Sequence, residues 1–500
     1  MSSSGSSSLP RMSNIDDVLA VAIECGSDLA KVAQYLLPAL IKLCNSHHGK
    51  GQDVLLQAAQ GNRDPLTIVD AQEHSLAYVY ILATRANDSL EDATAWRDLV
   101  PYIDVFVSHF RAQQLHLENP KVHDLAVAIT AIAAKKGVDP KWGAETLNAL
   151  LYRFTSPIPG QLTTLHTILA TYLMGIDQPG FAHQWVLSRP LTDASRRYSP
   201  IRATDVIEYF YAGGCAYLQL GDWDRAESFF EQCITVPAHS AHDRQVLANK
   251  KLILAQLLRD GKIKALPSYV SPPVARNLRR FMQPYTAFAD TYASKDRGIT
   301  QSSLEEVASI HASVFDTDGV VPLITILIQR HPLRRIQRLG NSFTKLSIRD
   351  VVAVLALVGA QEAVSDAEQR VLALLQQLIA NGELQATLTP HDPSPILTFN
   401  PSTAVLPASG GGAAAAAKPF ASLESIATLS QQMHLLQQWN TRLDAKEREI
   451  ARSAKYVQKQ QSAINAVGAG RMGGPGGQGG PAGWAGGMMF DDDVNEDVFA

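Results

Sequence analysis

Cysteine is scarce. Cys25, Cys44, Cys215 and Cys233 are the only ones in 500 residues, far apart and without C-x-x-C spacing. Neither a disulfide framework nor a four-cysteine zinc site is indicated, and buried free thiols in a reducing compartment are expected. Long apolar runs are missing too. Stretches such as Val351–Ala360 reach about half the length that spans a bilayer. The N-terminus is rich in Ser and Gly and has no apolar h-region, so no signal peptide is read there. Neither sign of charge dominates. Forty-four basic residues stand against 48 acidic ones, a net of −4, which gives no general attraction to nucleic acid or membrane. A soluble, intracellular chain is expected, with 46% apolar residues to build a sizeable core.

Chemical motifs are equally thin. No G-x-x-x-x-G-K-[ST] occurs, and no G-x-G-x-x-G follows a strand. Gly49-Lys50-Gly51 reads as a loop. His47-His48 and His239-x-x-His242 come nearest to metal spacing, but neither sets two imidazoles and a base on one helix face as H-E-x-x-H does. There is no H-x-H with Ser and Asp of the metal-dependent isopeptidases and no G-x-S-x-G elbow. His74, in Asp70-Ala71-Gln72-Glu73-His74-Ser75-Leu76, reads as a capping or packing histidine rather than half of a catalytic dyad. No catalytic residue, cofactor or metal site is expected, and the chain is not read as an enzyme.

What is present is helical periodicity. Apolar residues recur at helical spacing in Ile15–Leu43, Asp70–Thr84, Trp96–Phe110, Val122–Ala134 and Trp142–Phe154. The breaks between them are Gly/Pro/Asn clusters: Gly61-Asn62-Arg63-Asp64-Pro65, Asn119-Pro120 and Ser156-Pro157. Short turns and no alternating strands predict an α-solenoid over residues 13–200. Residues 201–332 continue it. Tyr209–Pro237 places Gly214, Tyr217, Gly221, Ala226 and Phe230 where a tetratricopeptide-like pair wants small, aromatic, turn, small and aromatic residues, with Cys233 on the same helix face. A second pair is read in Leu247–Leu258 and Tyr285–Tyr292.

Residues 333–400 read as a winged helix. Ile336, Leu339 and Phe343 share a face. Ser347 and Asp350 make an S-x-x-D capping box before Ile348, Val351, Val352 and Leu355. A third helix carries Ala367, Val371, Leu374, Leu375, Leu378 and Ile379 and stops at Asn381-Gly382. Leu384, Ala386 and Leu388 then alternate as a strand, Pro390, Asp392 and Pro393 turn, and Ile396-Leu397-Thr398-Phe399 returns. As a DNA reader the third helix should be basic. From Gln361 to Asn381 it carries Glu362, Asp366, Glu368 and Arg370, a net of −2, which phosphate repels. A protein-binding module is the better reading, with Leu384–Leu388 or Ile396–Phe399 (Leu384, Ala386, Leu388, Ile396 and Thr398 as contact residues) offering a strand edge. Arg330, Arg334, Arg335 and Arg338, with His331, read as a solvated basic face that meets an acidic partner. RNA binding is the alternative, but the stacking aromatics are missing.

Residues 1–12 read as disordered and 401–419 as a Pro/Gly/Ala-rich linker. Residues 420–466 form one long polar helix with Leu429, Leu436, Leu443, Ile450, Val457 and Ile464 seven apart. Such a stripe favours packing in a bundle. Residues 467–500 read as a flexible Gly-rich stretch and an acidic tail, Asp491–Phe499.

Helical repeats, a winged helix and a long C-terminal helix resemble the PCI-domain subunits of the proteasome lid, the translation initiation factor three complex and the COP-nine signalosome. The stretches D-A-Q-E-H-S-L at Asp70–Leu76, Y-F-Y-A-G-G-C-A-Y at Tyr209–Tyr217, F-F-E-Q-C-I-T-V-P-A at Phe229–Ala238 and I-Q-R-L-G-N-S-F-T-K-L-S-I-R-D at Ile336–Asp350 look like a signalosome subunit. So do G-A-Q-E-A and N-G-E-L-Q-A, either side of the third helix. The resemblance implies a mostly α scaffold of cytoplasm and nucleus whose partners are other PCI and MPN subunits. It also implies winged helices joined edge to edge and C-terminal helices gathered in a bundle. The complex would remove the ubiquitin-like modifier Nedd-eight from cullin-RING ligases through a zinc isopeptidase on a different subunit. A lid or initiation-factor scaffold, or a PCI adaptor of nucleic acid, is the alternative.

Overall fold

The structure is a computed structural model. It describes residues 12–45, 52–92, 94–117, 120–135, 137–238, 240–294, 301–340, 342–355, 364–380, 384, 386–390, 395–399, 423–453 and 457–458. The expected N-terminal disorder, the 401–419 linker, the 467–500 tail, the His47-His48 pair, the Gly49–Gly51 loop, the Asn381-Gly382 stop and the Asp392-Pro393 turn lie outside the described residues, as does His239.

Helices succeed one another from Ile15 to Gly340. The periodic stretch at Ile15–Leu43 is not one helix. Gly26, at φ 49°, ends Ile15–Cys25. Asp28 then restarts the chain by accepting from the Ala30 N–H at 3.0 Å. Val32–Leu36 widens into a π turn just ahead of Pro38; proline has no N–H to give and crowds the preceding turn, and a wider turn accommodates it. The other expected helices stand as Ser75–Asp88, Trp96–His109, Lys121–Ala133 and Pro140–Thr155. One feature was not expected, a parallel contact of two residues each, Gln161–Leu162 against Asp193–Ala194.

The repeat-like pair is Ala203–Leu220 and Trp223–Thr235, joined at Gly221 in the left-handed conformation, φ 75°. Its small residues do what the pattern asks. A Cβ on Gly214 would stand 2.5 Å from the Phe230 ring, and one on Gly213 2.4 Å from Phe229. The two helices therefore meet closely only because those positions lack side chains. Tyr217, Ala226, Phe230 and Cys233 are all buried. The second pair is Asp243–Asp260 and Gln283–Ala293, with the short helix Pro272–Arg280 between them.

Three hydrophobic cores lie in sequence. The first extends from Ile15 to Leu278, the second centres on Tyr285, Phe288, Tyr292 and Phe315, and the third is the winged helix. Two helices belong to neighbouring cores at once. Asp243–Asp260 gives Leu252 and Ala255 to the first core and Leu254, Leu257 and Leu258 to the second. Val321–Gly340 gives Ile324 and Leu327 to the second and Leu333 and Ile336 to the third. The expected start of the winged helix at Leu333 thus falls inside one continuous helix, which runs through Pro332.

The winged helix has three strands, not the two expected. Lys345–Ser347 pairs antiparallel with Ile396–Phe399, which pairs antiparallel with Ala386–Thr389. Ser347 still caps the next helix, Ile348–Leu355: its Oγ accepts from the Asp350 N–H at 3.2 Å and donates to the Asp350 carboxylate at 2.7 Å. Arg349 and Glu368, 3.1 Å apart, tie that helix to Val364–Ala380. The C-terminal helix, Leu423–Arg452, belongs to a separate compact unit.

Candidate interaction surfaces

The sheet edge can be read from its hydrogen bonds. The Phe399 N–H donates to the Thr344 carbonyl at 2.9 Å, on the Lys345–Ser347 side. Antiparallel ladders alternate their direction residue by residue. Thr398 and Ile396 therefore turn the other way, toward their partners Thr387 and Thr389. Ala386 and Leu388 face outward; the Ala386 N–H is already given to the Leu384 carbonyl at 3.1 Å, so the open edge consists of the Ala386 C=O and the Leu388 N–H and C=O. Pro390 closes it, because proline lacks the next outward donor.

This placement corrects part of the sequence reading. Ile396–Phe399 is the central strand and offers no edge, so Ile396 and Thr398 cannot receive a neighbouring strand. Leu384 lies before the strand and is buried in the winged-helix core, where its N–H donates to the Leu378 carbonyl at 3.2 Å. Ala386 is also buried there and Leu388 half-buried. Whatever these two residues offer a partner is backbone, not side chain.

The C-terminal helix is about 45 Å long at 1.5 Å per residue. Leu436 is 62% and Leu443 61% exposed, and Val457, just past the helix, is exposed as well. The side chains of Leu429 and Ile450 lie outside the described residues. Leu435 and Trp439 are exposed too, and a count of sevens passes over them. At 100° per residue, Leu435, Trp439, Leu443 and Leu436 fill an arc of about 100°, the width of a face buried among several helices rather than a two-helix seam. Arg442 lies over Trp439 at 5.8 Å.

The basic group is not a solvated face. Arg334 donates to the carbonyls of Leu258 and Arg259, the latter at 2.6 Å. Arg338 donates to the Gly261 carbonyl at 2.8 Å and to those of Ala293 and Ser294 at 3.3 and 3.4 Å. Two arginines of one helix thus satisfy the orphan carbonyls that end Asp243–Asp260 and Gln283–Ala293. Arg330 and Arg335 also have partners. Burial, with Arg335 and Arg338 alongside, pulls His331 down to about 4, so it is neutral at physiological pH. Little of the group is left for phosphate.

His74 stands at the N-cap position of Ser75–Asp88 but makes no side-chain cap; its Nδ1 turns back to accept from the Asp70 N–H at 3.3 Å, while the Asp70 carboxylate accepts from Gln72 and Glu73. Those bonds hold Asp70 below the usual carboxylate range. The four cysteines are free thiols, Cys25 and Cys233 buried. Sequence reasoning missed Asp318, whose carboxylate accepts from Lys250 at 2.7 and 2.9 Å and from the Tyr285 hydroxyl at 2.7 Å. Nothing in the local pattern marks it, since both partners are more than 30 residues away. Among the described residues no cluster of three or more His, Cys, Asp or Glu could hold a metal ion.

Helical repeats run through a shared helix into a three-stranded winged helix, a mostly α architecture consistent with an α-solenoid followed by a PCI-type domain. Residues 39–274 match the family of "COP9 signalosome complex subunit 3, N-terminal helical repeats". It is 25% identical over 329 residues to COP9 signalosome complex subunit 3 of Dictyostelium discoideum, covering 65% of this chain and 74% of the relative. The Drosophila melanogaster protein of the same name is 25% identical over 346 residues, 65% of this chain and 73% of its own length.

Proposed function

We propose that the chain is a non-catalytic scaffold subunit of the COP9 signalosome, in the position of subunit 3. The complex would remove the ubiquitin-like modifier Nedd-eight from cullin-RING ligases in cytoplasm and nucleus, with the chemistry on another subunit. Other PCI and MPN subunits would be its partners. The observation that carries the reading is the exposed apolar arc of Leu423–Arg452. A helix alone in water gains nothing from such a face, and burying it against neighbouring helices supplies the driving force for assembly. The open edge at Ala386 and Leu388 supports a second contact, by strand addition. The likeness of the repeats to subunit 3 supports the signalosome reading over the proteasome lid and the initiation factor. The engagement of Arg334 and Arg338 with helix ends disfavours a nucleic-acid adaptor.

The test is Leu436→Glu with Leu443→Glu in the full chain, purified with what accompanies it. Co-purifying signalosome subunits should fall at least about hundredfold, since two buried leucines are worth roughly 3 kcal/mol or more, while circular dichroism and Tm of the isolated chain stay unchanged. Full retention of those subunits would remove the proposal, and lid or initiation-factor subunits in their place would redirect it.

A further inference from the structure

The stretch from Gly261 to Ala289 contains no Asp or Glu, yet it holds Lys262, Lys264, Arg276, Arg279 and Arg280. Its helix, Pro272–Arg280, buries Val274 and Leu278 and turns the three arginines outward. Lys264 is occupied by Glu227 at 2.8 Å and by Asp260 at 3.0 Å. Lys262, Arg276, Arg279 and Arg280 have no such partner among the described residues. Asp224 and Glu227 are paired with Arg259, and Glu231 accepts only from the neutral Tyr269 hydroxyl; Glu227 and Glu231 lie on a cavity wall, on which the charge balance with Lys264 and Arg279 is even.

Arg279 lines a cavity of about 400 Å³ whose apolar wall is Leu252, Ile253, Ile263, Leu266 and Met282. That volume lies in the range that takes a ligand, about 300–1,000 Å³. Unpaired cations beside an apolar cavity fit a peptide that carries carboxylates next to an apolar end. Helix-dipole stabilisation explains Arg279 and Arg280, at the C-terminal turn, but neither Lys262 nor the cavity.

The chain contains one segment of that chemistry. Asp491-Asp492-Asp493-Val494-Asn495-Glu496-Asp497-Val498-Phe499 places five carboxylates in seven positions, followed by Val498 and Phe499. We propose that this acidic C-terminal segment docks on the face formed by Lys262, Arg276, Arg279 and Arg280, with Val498 and Phe499 in the cavity. The carboxylates face the unpaired cations, which steer and hold them, and the apolar pair leaves water. The docked tail would be released by salt, or by a partner offering a stronger acidic segment, so the face is an autoinhibited peptide site. It stands independently of the signalosome reading.

Carbodiimide coupling of the full chain, followed by peptide mass spectrometry, tests it, because the reagent joins only touching amines and carboxylates. The Lys264–Glu227 pair is the internal reference. Lys262 should link to Asp491–Asp497, within single molecules, at a yield comparable to that reference. Arg276→Glu with Arg279→Glu and Arg280→Glu, which keeps every coupling group, should lower the yield about tenfold. If that variant is misfolded by circular dichroism, raising salt from 50 to 500 mM on the unaltered chain should lower it similarly. Tail links spread evenly over other lysines such as Lys31 and Lys141, an unchanged yield in the variant or in salt, or links confined to cross-linked dimers would overturn the proposal; the last would assign the face to a second copy.

Discussion

The repeat pair at Ala203–Thr235 and the largely polar helix Leu423–Arg452 both carry large apolar side chains, and they use them in opposite ways. In the pair, glycines admit aromatic rings, and Tyr209, Tyr217 and Phe230 are buried. In the C-terminal helix, Leu435, Leu436, Trp439 and Leu443 face water. The same hydrophobic effect therefore stabilises the fold in one region and is held in reserve for association in the other. Substitutions should separate the two: those in the pair act on stability, those on the lone helix on assembly.

The largest expected effect is on stability. Phe230→Ala removes a ring packed against Gly214 and should cost about 3–5 kcal/mol, read as a fall in the denaturant midpoint. Leu436→Glu, by contrast, should leave that midpoint where it is. A loss for both would erase the contrast.

Next comes acid. Burial, with Arg189 adding to it, holds His166 down to about 4, and His331 is similarly depressed. The unfolded chain takes up these protons near 6.5, the folded chain only near 4. Stability is thus complete above pH 6.5 and declines between 6.5 and 4, by up to about 3 kcal/mol for His166. His166→Gln retains an acceptor for the Thr163 N–H, which the imidazole takes at 3.1 Å, and should flatten the decline in pH-dependent melting.

Arg334→Ala frees the carbonyls of Leu258 and Arg259 and should cost about 2 kcal/mol. It should do so without salt dependence of the kind phosphate binding would give. A neutral effect on stability with a loss of RNA affinity would revive the adaptor reading.

The smallest effects concern the strand edge. Leu388→Pro removes an outward N–H and part of a half-buried side chain, for about 1 kcal/mol. Thr387→Pro removes a ladder bond and should cost more. Assembly lost with Leu388→Pro while the fold persists would mark the edge as a contact; intact assembly would leave the C-terminal helix to act alone.

Much of this was legible in the chain. The glycine–aromatic register at Gly214 and Phe230, the Ser347 cap and the winged-helix order all follow from local spacing. Other features were not, for identifiable reasons. Lys345–Ser347 is three residues long and overlaps the capping signal, so its strand character depends on Ile396–Phe399 being there to pair with. The roles of Arg334 and Arg338 depend on carbonyls more than 70 residues earlier for Leu258, Arg259 and Gly261, and carbonyls leave no trace in residue identity. The helix Val321–Gly340 runs on through Pro332 because burial of Leu327, Ile328, Leu333 and Ile336 on either side outweighs the lost hydrogen bond. Leu435 and Trp439 were overlooked because a seven-residue count follows one line along a helix that presents a broader face.

The two helices that belong to neighbouring cores carry a mechanical implication. Asp243–Asp260 and Val321–Gly340 act as common beams, and the arginine clasps bolt the second to the end of the first. A pull applied to the wing is transmitted along a rigid member into the solenoid instead of being absorbed at a hinge. Loosening any one section should slacken the next, so the described chain from the second repeat pair to the wing ought to melt as a single cooperative block.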